Sequence, residues 1–332
     1  MSSMEPLSDI EALIPDPSDL ISMPDEADRQ IDRYAQDSVC VDRYDQFGGR
    51  TVYALTVGKG PISVFISRPH AHEPGGTAAC WLMLDLLVGS ASAAQTWREN
   101  VLERFTLTFV PDANPGGSQR SPVRFWDGSQ IPNETFFLWM FGERGDAPGE
   151  RFPRVPAWDS RETPPPKLLG IAYEQIDDHI YVEPNRDHRS TLFRSFFDLN
   201  ETYAYHAWID LHQTEYVGSP HNCHVNLPTG LASFERERQD VYTALGEAIH
   251  TRWIVEGARP RTHPGTGYKR GTEQSEYLFN AWNEIDRSCY HLVTEVQNNN
   301  TRTPVRTQVR LQVAAVDSAL CWLAANLGEG DL

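Results

Sequence analysis

Ile62-Ser63-Val64-Phe65-Ile66-Ser67-Arg68-Pro69-His70-Ala71-His72-Glu73-Pro74-Gly75-Gly76 passes from an apolar run into a turn crowded with groups that bind metals. Ile62 to Ile66 reads as a buried strand. Pro69 has no N–H to give a sheet ladder, so the chain leaves the sheet there. His70 and Glu73 therefore form an HxxE pair at the C-terminal end of a strand, where open α/β sheets place their ligand sites. After Gly75-Gly76, Thr77 to about Val88 is apolar on every side, as a helix packed between a sheet and other elements would be. Phe105 to Val110 follows as a second strand, and strand, helix, strand is the order of a parallel α/β sheet.

The same reading extends in both directions. Cys40 to Tyr44 and Thr51 to Val57 flank Phe47-Gly48-Gly49, a hairpin turn between two strands. Ala207 to Leu211 and His291 to Val296 are short apolar strands, while Phe234 to Ile254 and Val305 to Leu327 have helical character. Asp25 to Gln36 reads as a short helix. Residues 1 to about 24 are rich in Pro, Ser and Asp without a period, so residues 1–40 form an irregular lead-in to one domain spanning 41–330. Within that domain 133–180, with Pro164-Pro165-Pro166 and many aromatics, lacks a long period and reads as an insert that shapes a lid or pocket wall.

A length of 332 residues suits one large α/β domain, and 40% hydrophobic residues supply its core. The formal net charge of −17 argues against nucleic acid and anionic membrane surfaces as partners. Three lysines, Lys59, Lys167 and Lys269, leave nearly all positive charge on arginine. No segment approaches the ~20 apolar residues of a membrane-spanning helix. Met1-Ser2-Ser3-Met4-Glu5 has neither the basic start nor the apolar stretch of a secretory signal. Five scattered cysteines without a CxxC pair read as reduced thiols, so a cytoplasmic protein is expected.

One HxxE is weak evidence, since eleven histidines yield about one by chance when Glu makes up ~6–8% of residues. Indeed His212 and Glu215 form a second. The ordered set is more specific. Pro69-His70-Ala71-His72-Glu73-Pro74-Gly75 precedes Val110-Pro111-Asp112-Ala113-Asn114-Pro115-Gly116-Gly117, then Pro184-Asn185-Arg186-Asp187, Ile209-Asp210-Leu211-His212, and Val293-Thr294-Glu295-Val296. In that order they resemble the HxxE, NPDG, NR, DLH and strand-borne Glu motifs of the M14 zinc metallocarboxypeptidases and the related succinylglutamate desuccinylase and aspartoacylase branch. The resemblance covers about residues 50 to 325.

It implies a single α/β domain with a mixed, twisted sheet of about eight strands flanked by helices. It also implies one zinc ion per chain, held by His70, Glu73 and His212 with a position open to water. Glu295 would be the general base that takes the water's proton and passes it to the leaving amine. Asn185 and Arg186 match the pair that grips a substrate's terminal carboxylate, and Asp210 would orient a ligand histidine. Tyr268, in the mobile-looking Gly265-Thr266-Gly267-Tyr268, is favoured over Tyr277 as the tyrosine that covers substrate, and His72 is expected to touch substrate. Here the chain departs from the family pattern. The oxyanion-stabilising Arg that follows a Trp is absent, because Arg124-Phe125-Trp126-Asp127 stands there, so either Arg124 or Arg120 takes the role or zinc alone polarises the carbonyl.

The activity so implied is hydrolysis of an amide next to a free carboxylate. The leading form is a carboxypeptidase acting on small peptides; the alternative is a deacylase of a small N-acyl amino acid. A third reading, a metal-binding module without catalysis, is opposed by Glu295, since an unpaired buried carboxylate is costly and metal binding alone does not need it.

Overall fold

The computed structural model describes residues 4–35, 38–89, 91–163, 166–215 and 218–327. Residues 1–3 of the lead-in, Gln36, Pro164 and Pro165 of the insert and 328–330 of the expected domain lie outside the described residues. The hairpin strands are β1 (Cys40–Gln46) and β2 (Arg50–Val57), joined through Gly48 and Gly49 at φ 90° and 83°, values that glycine adopts without a Cβ clash. β3 (Ile62–Ser67) and β4 (Phe105–Val110) follow, then β5 (Ala207–Thr214), β6 (Cys223–Asn226) and β7 (Tyr290–Gln297).

These seven strands make one sheet in the order β1-β2-β4-β3-β5-β7-β6. β4, β3, β5 and β7 run parallel, and the hairpin and β6 complete the edges antiparallel. About eight strands were expected. The short strands of and beside the insert stay out of this sheet and pair among themselves: Gly142–Glu143 with Leu168–Leu169, and Ile180–Val182 with Ala157–Asp159 and Glu174–Gln175. The insert is also less irregular than its sequence suggests, since Asn133–Phe141 is helical.

Side chains alternate across a strand, and residues paired laterally share a face. One face carries Ile209 and Leu211 of β5 and Leu292 and Val296 of β7, covered by the helices Pro74–Val88, Arg236–Val255 and Val305–Asn326 in the main core. The first of these passes very close: a Cβ on Gly76 would lie 3.1 Å from Leu211 Cβ and 2.9 Å from Arg68 Cγ. The other face carries Phe65 and Trp208 under the helices Thr191–Tyr203 and Glu273–Trp282, in an aromatic core of edge-on and stacked rings. Asp210, His212 and Glu295 lie on this second face, because β5 and β7 pair His212 with Glu295.

The lead-in is not separate from the domain. Met4, Leu7, Ile10, Ile14 and Leu20 are buried in the main core, and the buried Asp317 carboxylate accepts from Leu7 N at 3.0 Å. Its second helix is Pro24–Tyr34. No single helix among the described residues is long and apolar enough to cross a membrane, and all five cysteines are free.

Candidate metal centre

The turn after β3 is held from several sides. Arg68, fully buried, pairs with Asp112 at 2.8 Å and donates to Thr77 and Ser118, fastening the ends of β3 and β4 to the next helix. Glu73 N donates to His70 O at 3.0 Å, Asn298 Nδ2 to His72 O at 2.7 Å, and Gly75 N to Gln213 Oε1 at 2.7 Å. Pro74 then starts the helix at a position where its missing N–H costs nothing. His70, His72 and Glu73 are thereby fixed and buried beside the end of β5.

Their ligand-capable atoms lie within 4.8 Å of one another. His70 Nδ1 is 3.1 Å from Glu73 Oε1, His212 Nδ1 is 3.2 Å from the same oxygen, and His72 Nε2 is 3.5 Å away. The far side of each ring explains what this means. His212 Nε2 lies 2.7 Å from Asp210 Oδ2, whose other oxygen accepts from Ser67 Oγ at 2.5 Å. His70 Nε2 lies 3.2 Å from both Glu183 Oε1 and Asn185 Oδ1. Those groups only accept, so each Nε2 carries the hydrogen and each Nδ1 turns a lone pair toward Glu73. Two lone pairs facing one carboxylate oxygen require a positive charge among them. The field points the same way: although burial opposes it, Glu73 and Asp210 raise His212 well above its ordinary value. The donor set fits a divalent cation.

His70, His72, Glu73 and His212 line a cavity of about 250 Å³, whose walls also include Asn185, Arg186, Tyr268 and Glu295. Burial pushes the Glu295 carboxyl up to about 7, with the Glu73 charge adding and His212 opposing. Its Oε1 accepts from Asn226 Nδ2 at 3.4 Å, while Oε2 has no hydrogen-bond partner among the described residues. Asn226 in turn lies 2.7 Å from His224 Nε2 through its Oδ1, so His224 serves this hydrogen-bonded chain.

Arg124 is elsewhere. It donates to Leu20 O at 2.8 Å and pairs with Glu26 at 2.9 Å, securing the lead-in, because the segment before Trp126 faces that side. Arg120 is spent on the carbonyls of Gly116, Gly170 and Tyr173. Arg154, which the sequence reading missed, lines the cavity together with Arg186 and Arg261. It comes from the insert, donates from Nε to Glu183 Oε1 at 2.9 Å and from Nη1 to Tyr268 Oη at 2.9 Å. Arg186 also bonds Glu183, and Arg186 Nε has no hydrogen-bond partner among the described residues. Despite burial, the two guanidiniums hold Glu183 well below the usual carboxylate range. Two cations around one internal anion leave a net positive charge in the wall. The only sequence signal for Glu183 was its place two residues before Asn185; Arg154 had none.

Glu215, the acid of the second HxxE, accepts from Asn300 Nδ2 at 2.6 Å and does not line the cavity.

No protein-family model matches this sequence, and no curated protein matches it. Solved structures do. A metallo-carboxypeptidase from Burkholderia cenocepacia is similar with a TM-score of 0.58 at 16% identity, over 91% of this chain and 70% of that one. Bovine thrombin-activatable fibrinolysis inhibitor, solved in complex with tick carboxypeptidase inhibitor, gives 0.54 at 12% over 91% and 96%. A Pseudomonas aeruginosa metallo-carboxypeptidase in complex with (2-guanidinoethylmercapto)succinic acid gives 0.51 at 13% over 91% and 68%. The chain has the fold of these metallo-carboxypeptidases, as the motif order implied.

Proposed function

We propose that this protein is a zinc-dependent hydrolase that cleaves an amide next to a free carboxylate, releasing the C-terminal amino acid of a small peptide. The observation that carries the reading is the convergence of His70, His212 and Glu73 as bare donors in a cavity that also holds Glu295 and a positively charged wall. His70, Glu73 and His212 would hold the metal, with His72 beside them. A divalent metal bound there supplies Lewis-acid polarisation of the carbonyl and makes nearby water more acidic.

The remaining tasks fall to the chain. Glu295, raised to about 7, suits a base that accepts a proton near neutral pH and returns it to the leaving amine. Arg186 and Arg154 offer guanidinium forks to the substrate carboxylate, with Asn185 alongside. Tyr268, already bonded to Arg154, would close the site over substrate, and the helix Asn133–Phe141 lends Phe137 and Met140 to the wall. The modest cavity also favours a second reading, deacylation of a small N-acyl amino acid; a panel of N-acyl amino acids beside peptides separates the two. Free cysteines and strong negative charge support the cytoplasm as the location.

Elemental analysis and hydrolysis assays on wild type, His70→Ala and Glu295→Gln test the assignment. About one zinc per chain, lost in His70→Ala, with Glu295→Gln keeping the metal but losing about 10²–10⁴-fold in rate, is the expected result. Metal binding without any hydrolysis across the substrate panel would leave a metal-binding module instead.

A further inference from the structure

Leu278, Trp282 and Val293 contribute apolar lining to the cavity, and Asp286 and His291 line it as well. His291 lies on the same face of β7 as Glu295, opposite Trp208 of β5. Its ring is stacked on the Trp282 indole, centroids 3.8 Å apart and planes 7° from parallel, and meets the Trp208 ring at 63°. Trp282 is itself fixed, since Nε1 donates to Asn185 O at 2.8 Å. The imidazole therefore has one orientation available. His291 Nδ1 is 3.0 Å from Asp286 Oδ1, and a carboxylate accepts, so Nδ1 carries the hydrogen. Nε2 then presents a lone pair. It is buried, in a residue 5% exposed, and has no hydrogen-bond partner among the described residues.

A buried acceptor left unpaired is unfavourable, and native structures rarely keep one without a use. Among the described residues the Asp286 carboxyl has His291 as its ion-pair partner; burial pushes that carboxyl up, opposed by His291 and by Arg238, whose Nε donates to Asp286 O at 2.8 Å. We infer that His291, oriented by Asp286, selects the substrate's side chain and takes one that ends in a hydrogen-bond donor, such as a carboxamide, hydroxyl or amine. This rests on the hydrolase reading above. Asp286 would disfavour an acidic side chain, and an aliphatic one would leave Nε2 unpaired.

The test is kcat/KM for N-blocked dipeptides that end in near-isosteric pairs, Gln against Met and Thr against Val, with Glu as a third probe. Wild type is expected to favour the donor of each pair by about 10- to 100-fold and to use Glu less well than Gln. His291→Leu should abolish or reverse those ratios. Asp286→Asn, which preserves shape but frees the ring to protonate at Nε2, should shrink them severalfold, with zinc content unchanged in both. Equal use of Gln and Met by wild type, a preference for Glu, or ratios unmoved in either folded variant would overturn the inference and leave the pair a purely structural link. Calorimetric binding of free glutamine and methionine to the zinc-loaded protein keeps the two readings apart. Discrimination in binding without hydrolysis sinks the hydrolase; hydrolysis without discrimination sinks the selection by His291.

Discussion

Replacing Arg154 with Met removes the guanidinium that the insert contributes while keeping much of its apolar stem. Arg154 bonds Glu183 through two nitrogens and Tyr268 through a third. A hydrogen bond to a charged group contributes about 1.5–3 kcal/mol, and a buried carboxylate stripped of one cation adds a penalty of its own. Arg186 remains beside Glu183, so the expected loss of stability is about 2–4 kcal/mol rather than the sum of the bonds. Function should suffer differently. With Tyr268 released and the wall's excess positive charge gone, KM for a substrate with a free carboxylate should rise about 10- to 100-fold while kcat changes less. Urea unfolding gives the first quantity and steady-state kinetics on paired free and amidated substrates the second. An unchanged KM, or equal effects on both substrates, refutes the role assigned to Arg154.

Asp210→Asn should weaken zinc binding about 10- to 100-fold, measured by competition with a chelator, because His212 loses the carboxylate that fixes its ring; unchanged affinity contradicts that chain of contacts. Arg124→Ala should leave kcat/KM as it is and cost under about 1 kcal/mol, as befits a partly exposed ion pair with Glu26; a tenfold fall in kcat/KM would restore Arg124 to the site. Burial pushes the Glu174 carboxyl up to about 7, against the bonds it receives from Thr191. The folded chain then holds a proton that the unfolded chain releases from about pH 4.3, so stability should fall between about 4.3 and 7 by on the order of 3 kcal/mol. Glu174→Gln should flatten that slope in urea titrations across pH, and an undiminished slope counts against it.

What the sequence conveyed best were groups whose position follows from strand periodicity. His70 and Glu73 sit just past a strand that Pro69 must end, and Asp210, His212 and Glu295 fall at alternate places on apolar strands that face each other. The strand Cys223–Asn226 is too short to show a period, and its partner is set by a distant segment. Arg154 was invisible for a related reason: the insert's ladders are two or three residues long, and only their mutual pairing carries its side chain back to the cavity. Arg124 misled because closeness to Trp126 along the chain says nothing about which side of a loop faces the sheet. His291 was read as the start of a strand, without the Asp286 contact that a short helix brings to it.

The Glu73 carboxylate and the His212 ring that face each other across the proposed metal position are separated by 139 places along the chain. Closing so long a loop in an unfolded chain is entropically unfavourable, and no local fragment contains the full donor set. The ion would thus discriminate sharply between the folded protein and every partial one, having little to hold until β3 and β5 are in register. Added metal should accordingly raise the unfolding midpoint of the whole sheet, in proportion to RT ln(1 + [metal]/Kd), instead of stiffening one turn. Such an ion reports on the completed fold, so that a chain able to retain it has already brought its distant strands together.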